Sequence, residues 1–175
     1  MSARTVDLRA FVRDVPDFPK KGIVFKDITP MLADAKAFAA AVEEMCAPFE
    51  GGKIDLIAGI ESRGFLFAAA MAARLGVGVI PIRKKGKLPC KTVAVTYALE
   101  YGTDTIELHE DAAPKGSRIL VVDDVLATGG TAKAACELVE KLGAKVSGAA
   151  FFIELDFLKG REKLPGRVVH SALIY

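Results

Sequence analysis

Two stretches of this chain follow one arrangement: an apolar run, a short polar turn containing glycine, then residues at helical spacing. The first runs Ile54 to Ile60, apolar apart from Asp55, then Glu61-Ser62-Arg63-Gly64, then Phe65 to Leu75. The second runs Ile119 to Val122, then Asp123-Asp124, then Ala127-Thr128-Gly129-Gly130-Thr131 and a helical segment to Leu142. A strand that is apolar along its whole length must be covered on both faces, and a parallel sheet flanked by helices provides that cover. Gly76 and Gly143 follow the two helical segments, where a left-handed residue ends a helix without steric cost. The pattern predicts an open, doubly wound α/β domain.

The remaining segments fit around that frame. Val77 to Ile82, Val146 to Ile153 and Val168 to Ile174 read as further strands, and Phe157 to Lys163 as a short polar helix. Thr92 to Leu99 and Thr103 to His109 alternate apolar with polar residues about Glu100-Tyr101-Gly102, which predicts a hairpin or a mobile flap. Nearer the N-terminus, Leu8 to Val15 reads as a short helix and Asp17 to Leu32 as an ordered loop with a short extended piece. Asp34 is placed to cap a helix reaching about Ala47.

At 175 residues the chain suits a single domain with its own core. A formal net charge of +2 gives no reason to expect nucleic acid as a partner. The three cysteines, Cys46, Cys90 and Cys136, are widely spaced and form no CxxC, which argues against a disulfide framework or a zinc site. No apolar run has the length of a membrane span and the N-terminal residues lack a signal-peptide core, so a cytoplasmic location is expected.

Asp123 and Asp124 fall where an apolar strand is expected to meet its loop, the end at which open α/β sheets bind ligands. Neighbouring strand residues face opposite ways, so the two carboxylates can take different hydroxyls or a metal-bound water. The glycines of the following loop let backbone N–H groups converge, Thr128 and Thr131 add hydroxyls, and a helix N-terminus favours an anion. The loop lacks the Gly-Lys-Ser/Thr ending of a nucleotide-hydrolase phosphate loop and the glycine spacing of a dinucleotide fingerprint. A receiver domain would place acidic residues at a strand end, but it needs no phosphate cradle directly after them. A phosphorylated sugar suits both halves.

The stretch VVDDVLATGGT, Val121 to Thr131, resembles the phosphoribosyl-pyrophosphate signature of the type I phosphoribosyltransferases. The blocks DFPKKGIVFKDITPML, IAGIESRGFLF, IRKKGKLP, ALEYG and LKGREKL, in this order, resemble the adenine-using branch of that family. The resemblance implies the type I phosphoribosyltransferase fold: a mostly parallel central sheet flanked by helices, an N-terminal hood and a flexible hairpin flap. It further implies one domain over residues 1–175, with base recognition in residues 1–50 and the catalytic flap in residues 84–110.

For the site, the resemblance implies that Asp123 and Asp124 bind the ribose hydroxyls, while Ala127, Thr128, Gly129, Gly130 and Thr131 hold the 5′-phosphate. Ser62, Arg63, Arg83, Lys84, Lys87 and Tyr101 are implied at the pyrophosphate, with Arg63 also counted as catalytic. Phe25 would stack on adenine while the backbone of Val24 and Lys26 reads its edge; a 6-oxopurine would leave such groups unpaired. Family members that use 6-oxopurines carry an aspartate where this chain has Ala127, so the acid–base group must come from elsewhere, and Glu100 is the candidate. Mg2+ held mainly by substrate and water, the substrates adenine and phosphoribosyl pyrophosphate, and a homodimer are implied too. His109 and His170 match nothing in the pattern and are expected to be structural. A transferase for xanthine or orotate, or a non-catalytic sensor of phosphoribosyl pyrophosphate, remains the alternative at this level.

Overall fold

The computed structural model describes residues 6–99 and 102–175, in two compact units, Met1–Glu44 and Met45–Tyr175. In the first unit, a single 3-10 turn, Leu8–Phe11, is capped by Asp7, whose Oδ1 accepts the Arg9 N–H at 3.1 Å. Strand β1 (Arg13–Pro16) follows and pairs antiparallel with β2 (Val24–Asp27), with Val15 opposite Phe25. The helix expected over Leu8 to Val15 is therefore one turn and a strand. Cross-strand partners explain the difference: Arg13 Nη2 meets Asp27 Oδ2 at 2.5 Å and Lys26 Nζ meets Asp14 Oδ1 at 2.7 Å. Such pairs stabilise a two-stranded ribbon, and local periodicity carries no trace of them.

A short helix α1 (Thr29–Ala33) precedes α2 (Ala35–Cys46). Asp34 Oδ1 accepts the N–H groups of Lys36 and Ala37, both at 2.9 Å, which is the cap expected from the sequence.

The second unit is built on a seven-stranded sheet. In chain order its strands are β3 (Leu56–Ile60), β4 (Gly78–Lys84), β5 (Thr92–Leu99), β6 (Gly102–His109), β7 (Arg118–Leu126), β8 (Lys145–Glu154) and β9 (Val169–Ile174). In space the order is β5-β6-β4-β3-β7-β8-β9. Strands β4, β3, β7, β8 and β9 run parallel, while the β5–β6 hairpin is antiparallel and joins β4 at Arg83 and Lys84. Helix α3 (Gly64–Leu75) connects β3 to β4, and α4 (Gly130–Lys141) connects β7 to β8. Gly76 ends α3 with φ +69°. The two connections leave neighbouring strands in opposite directions, and right-handed crossovers then place α3 and α4 on opposite faces of the sheet.

The core matches this layering. Ile57, Ala58, Phe67, Met71, Val121, Val122, Phe151 and Phe152 are all fully buried. The base of the hairpin belongs to it as well, through Val95, Ile106 and Leu108. Three segments depart from expectation. Strand β3 starts only at Leu56, because Asp55 instead receives the Arg118 guanidinium (Nη2–Oδ1 2.6 Å) and backbone N–H (2.8 Å). Strand β7 continues past Val122 to Leu126, pairing Asp123 with Phe151 and Leu126 with Glu154, so the acidic pair lies on the strand. The expected helix over Phe157 to Lys163 is two 3-10 turns, Asp156–Leu158 and Gly160–Lys163, divided by Lys159 at φ +55°. No helix among the described residues is long and apolar enough to cross a membrane.

Candidate active site

Strands β3 and β7 are adjacent and parallel, and their connections diverge to β4 and β8. The turn after β3 and the loop after β7 therefore open together at the carboxyl end of the sheet, the switch point at which this architecture binds ligands. Gly64, the first residue of α3, lies hard against β7: a Cβ there would sit 2.7 Å from Asp123 Oδ1 and 3.0 Å from Asp123 Cα. The absence of a side chain is what lets the start of α3 reach the acidic pair.

Arg63, one residue earlier, forms an ion pair with Asp124, Nε to Oδ2 at 2.7 Å. Asp124 is 6% exposed. A carboxylate buried to this degree requires a cation or several donors. Asp123 Oδ1 accepts the Asp124 N–H at 2.8 Å. Burial, then the negative charge of Asp124, push the Asp123 carboxyl well above its ordinary value, against the pull of Arg63. Hydroxyl donors or a hydrated cation would relieve that crowding.

The loop after β7 forms a pocket of about 80 Å³ lined by Asp123 and by Val125 through Ala132. That is well below the ~300 Å³ at which pockets for drug-sized ligands begin, and suits a single anionic group. Gly129 stands at φ +77° and α4 begins at Gly130, so the unpaired N–H groups of the helix start line the same hollow. Asp123, Asp124, Ala127, Thr128, Gly129, Gly130 and Thr131 are thus brought together as the sequence suggests. Thr131 Oγ1 donates to Tyr97 OH at 3.2 Å, a tie between loop and hairpin that the sequence does not reveal.

The basic segment is organised by a residue the sequence reading passed over. Glu61 takes Lys87 Nζ on Oε1 at 2.5 Å and, on Oε2, Arg83 Nε at 3.2 Å and the Lys84 N–H at 3.0 Å. Burial pushes the Glu61 carboxyl up, but bonds from Lys87, Lys84 and Arg83 together hold it at about 2. Arg83 and Lys87 are consequently gathered at Glu61, the residue before Ser62, whereas Lys84 Nζ turns to Asp104 Oδ2 at 3.3 Å. The available signal was charge complementarity: one carboxylate in the turn after β3, facing a run of cations that begins at the end of the neighbouring strand.

In the first unit, Val24, Phe25 and Lys26 occupy β2. Residues two apart on a strand present their backbone groups to the same edge, so Val24 and Lys26 do so together. Phe25 is half-buried, with Phe18 edge-on to its ring at 5.3 Å between centroids. Glu100 and Tyr101 lie outside the described residues.

Comparison with known proteins bears on this geometry. Residues 25–167 match the phosphoribosyl transferase domain family. The chain is 58% identical to an adenine phosphoribosyltransferase of Roseiflexus sp. (strain RS-1) over 171 residues, covering 98% of this chain and 99% of the relative. The chain belongs to the adenine phosphoribosyltransferases. Solved structures of family members agree with its fold. One, from Thermoanaerobacter pseudethanolicus, superposes with a TM-score of 0.93 at 54% identity, covering 96% of this chain and 98% of the other. Another, from Saccharomyces cerevisiae in complex with D-2,5-dideoxy-2,5-imino-altritol 1,6-bisphosphate and adenine, gives 0.89 at 44% identity, with 94% and 96% covered. The family fold is the mostly parallel sheet described above.

Among the described residues no group of three or more His, Cys, Asp or Glu side chains is placed to hold a metal ion directly. The crowded pair Asp123 and Asp124 offers only hard oxygen donors, a donor set that fits Mg2+ through its retained waters. His109 ends β6 and His170 lies on β9, and the Nε2 atom of each is buried without a hydrogen-bond partner among the described residues.

Proposed function

We infer that this chain transfers 5-phosphoribose from 5-phosphoribosyl 1-pyrophosphate to N9 of adenine, giving AMP and pyrophosphate, a purine-salvage reaction. The observation that carries the reading is the meeting, at the β3/β7 switch point, of an acidic pair, an arginine and an anion-binding loop. It occurs in a chain related to adenine phosphoribosyltransferases over nearly its whole length.

In this reading Asp123 and Asp124 hold the ribose hydroxyls and residues 127–131 hold the 5′-phosphate. Ser62 and Arg63 bind the pyrophosphate, joined by Arg83 and Lys87, which Glu61 gathers; Lys84 and Tyr101 complete that group. The C1′–O bond breaks with its electron pair leaving on pyrophosphate, and the purine lone pair forms the C1′–N9 bond. Positioning and charge stabilisation lower the barrier, because the sugar passes through a cationic state between two anions. Glu100, assigned to N7, takes the proton that the purine loses. Phe25 stacks on the base, and the backbone of Val24 and Lys26 reads its edge. Substrate oxygens and, through water, Asp123 and Asp124 would hold Mg2+, which would supply further neutralisation of the pyrophosphate. Assembly as a homodimer, which rests on the family resemblance, and a cytoplasmic location, which rests on the sequence reading above, belong to the same proposal.

The test is pyrophosphate release from phosphoribosyl pyrophosphate and Mg2+ with adenine, hypoxanthine, xanthine or orotate supplied singly. Release with adenine alone is expected. Release with another base but not adenine overturns the reading, and no release with any base removes the enzymatic assignment.

A further inference from the structure

The block LKGREKL, Leu158 to Leu164, carries no role in the reading above, yet it lies directly behind the phosphate loop. Gly160 is buried, and a Cβ on it would overlap the Ala127 carbonyl oxygen and lie 3.0 Å from Gly129 N. The approach is mutual: a Cβ on Gly129 would overlap the Gly160 carbonyl oxygen and lie 3.0 Å from Gly160 Cα. Two glycines thus meet backbone to backbone, and no other residue pair would allow the contact.

The turn bearing Gly160 is fixed on both sides. Arg161 grips the buried Glu154 through Nε–Oε1 at 3.0 Å and Nη2–Oε2 at 2.5 Å, and its Nη1 donates to Val169 O at 2.8 Å. Ser171 Oγ adds a bond to Glu154 Oε2 at 2.7 Å. Leu164 is 2% exposed and forms part of the core cluster. The Leu155 N–H donates to Leu126 O at 2.9 Å, tying the approach to this turn to the last residue of β7. A forked, doubly bonded arginine on a buried carboxylate is a rigid support that a lysine cannot reproduce.

We propose that Gly160 and Arg161 are positioning residues for the 5′-phosphate: Gly160 backs the loop at Ala127 and Gly129, and Arg161 on Glu154 holds Gly160 there. The proposal rests on the reading that residues 127–131 bind the 5′-phosphate. A side chain at position 160 displaces the loop by something on the order of 1 Å, enough to cost up to ~100-fold where donors must converge on one group.

The experiment measures binding of ribose 5-phosphate and, separately, of Mg2+–pyrophosphate by calorimetry, with steady-state kinetics, for wild type, Gly160→Ala, Arg161→Lys and Thr128→Ala. For Gly160→Ala, ribose 5-phosphate should bind at least tenfold more weakly and KM for phosphoribosyl pyrophosphate should rise. Pyrophosphate binding should stay within twofold. Arg161→Lys should show the same pattern at smaller amplitude, and it carries the test alone if Gly160→Ala does not fold. Wild-type affinity for ribose 5-phosphate in either variant overturns the proposal, as does equal weakening of both ligands, the mark of general structural damage. If Thr128→Ala leaves ribose 5-phosphate binding intact, the phosphate-loop reading itself has failed and the proposal falls with it.

Discussion

At Glu61 a single carboxylate holds two cationic side chains and a backbone N–H, and at Asp124 another holds the arginine assigned to the leaving group. Individual residues here serve as counter-ions for groups that would otherwise repel one another. Glu100 is proposed to have a different task, and the prediction for it is kinetic. Glu100→Gln removes the proton acceptor and keeps the shape, so turnover should fall by about 10²–10⁴-fold while ribose 5-phosphate affinity changes little. Steady-state rates beside calorimetry check this, and unchanged turnover would take the role from Glu100. The meeting of Asp123, Asp124 and the Thr-Gly-Gly-Thr loop at one end of the sheet was legible because they sit in one contiguous stretch. Glu61 and Gly160 were not, because their partners, Lys87 and Ala127, lie far away in the chain and only the fold brings them near.

Elements were legible where their signals are local. Asp34 announces the start of α2 and Gly76 the end of α3, each through contacts with residues a few positions away. Strand β1 was hidden because its stability comes from β2, and the true length of β7 because β8 continues beside it as far as Glu154. The β5–β6 hairpin was visible from its alternation, but its attachment was not. Its base is packed in the core, Lys141 Nζ of α4 donates to Ala94 O at 2.8 Å, and Thr131 donates to Tyr97. Burial pushes the Tyr97 hydroxyl above its ordinary value, so it stays protonated and bonded at neutral pH. Removing that hydroxyl tests the tie. Tyr97→Phe should lower stability by about 0.5–1.5 kcal/mol, seen as a few degrees in Tm, with ribose 5-phosphate binding no weaker than wild type. A tenfold loss of that affinity would place Tyr97 in the phosphate site.

For the molecule as a whole, several carboxylates act in concert as the solution is acidified. Asp27, Asp55 and Glu61 are each held near 2, from ordinary values of 3.8, 3.8 and 4.5. For Asp27 the bonds from Thr29 dominate, for Asp55 those from Arg118. A depressed value in the folded state gives stability that is complete above the unfolded value and lost as pH falls toward the folded one. Asp123 has the opposite sign: its raised value costs stability at neutral pH, and acid relieves it. Urea unfolding should therefore show stability falling between about pH 4.5 and 2, with a shallower fall in Asp55→Asn, and Asp123→Asn should be at least as stable as wild type at pH 7. A wild-type profile flat across that range contradicts the assignment. The ion pair between Arg63 and Asp124 has a consequence at this scale too. In the proposed reading ribose and pyrophosphate each claim one member of it, so whichever ligand arrives first must separate the pair and the second need not. The two halves of the substrate are then linked by a positive and reciprocal coupling free energy. Calorimetry should find ribose 5-phosphate binding more tightly when Mg2+–pyrophosphate is already bound, and Arg63→Ala should abolish the difference.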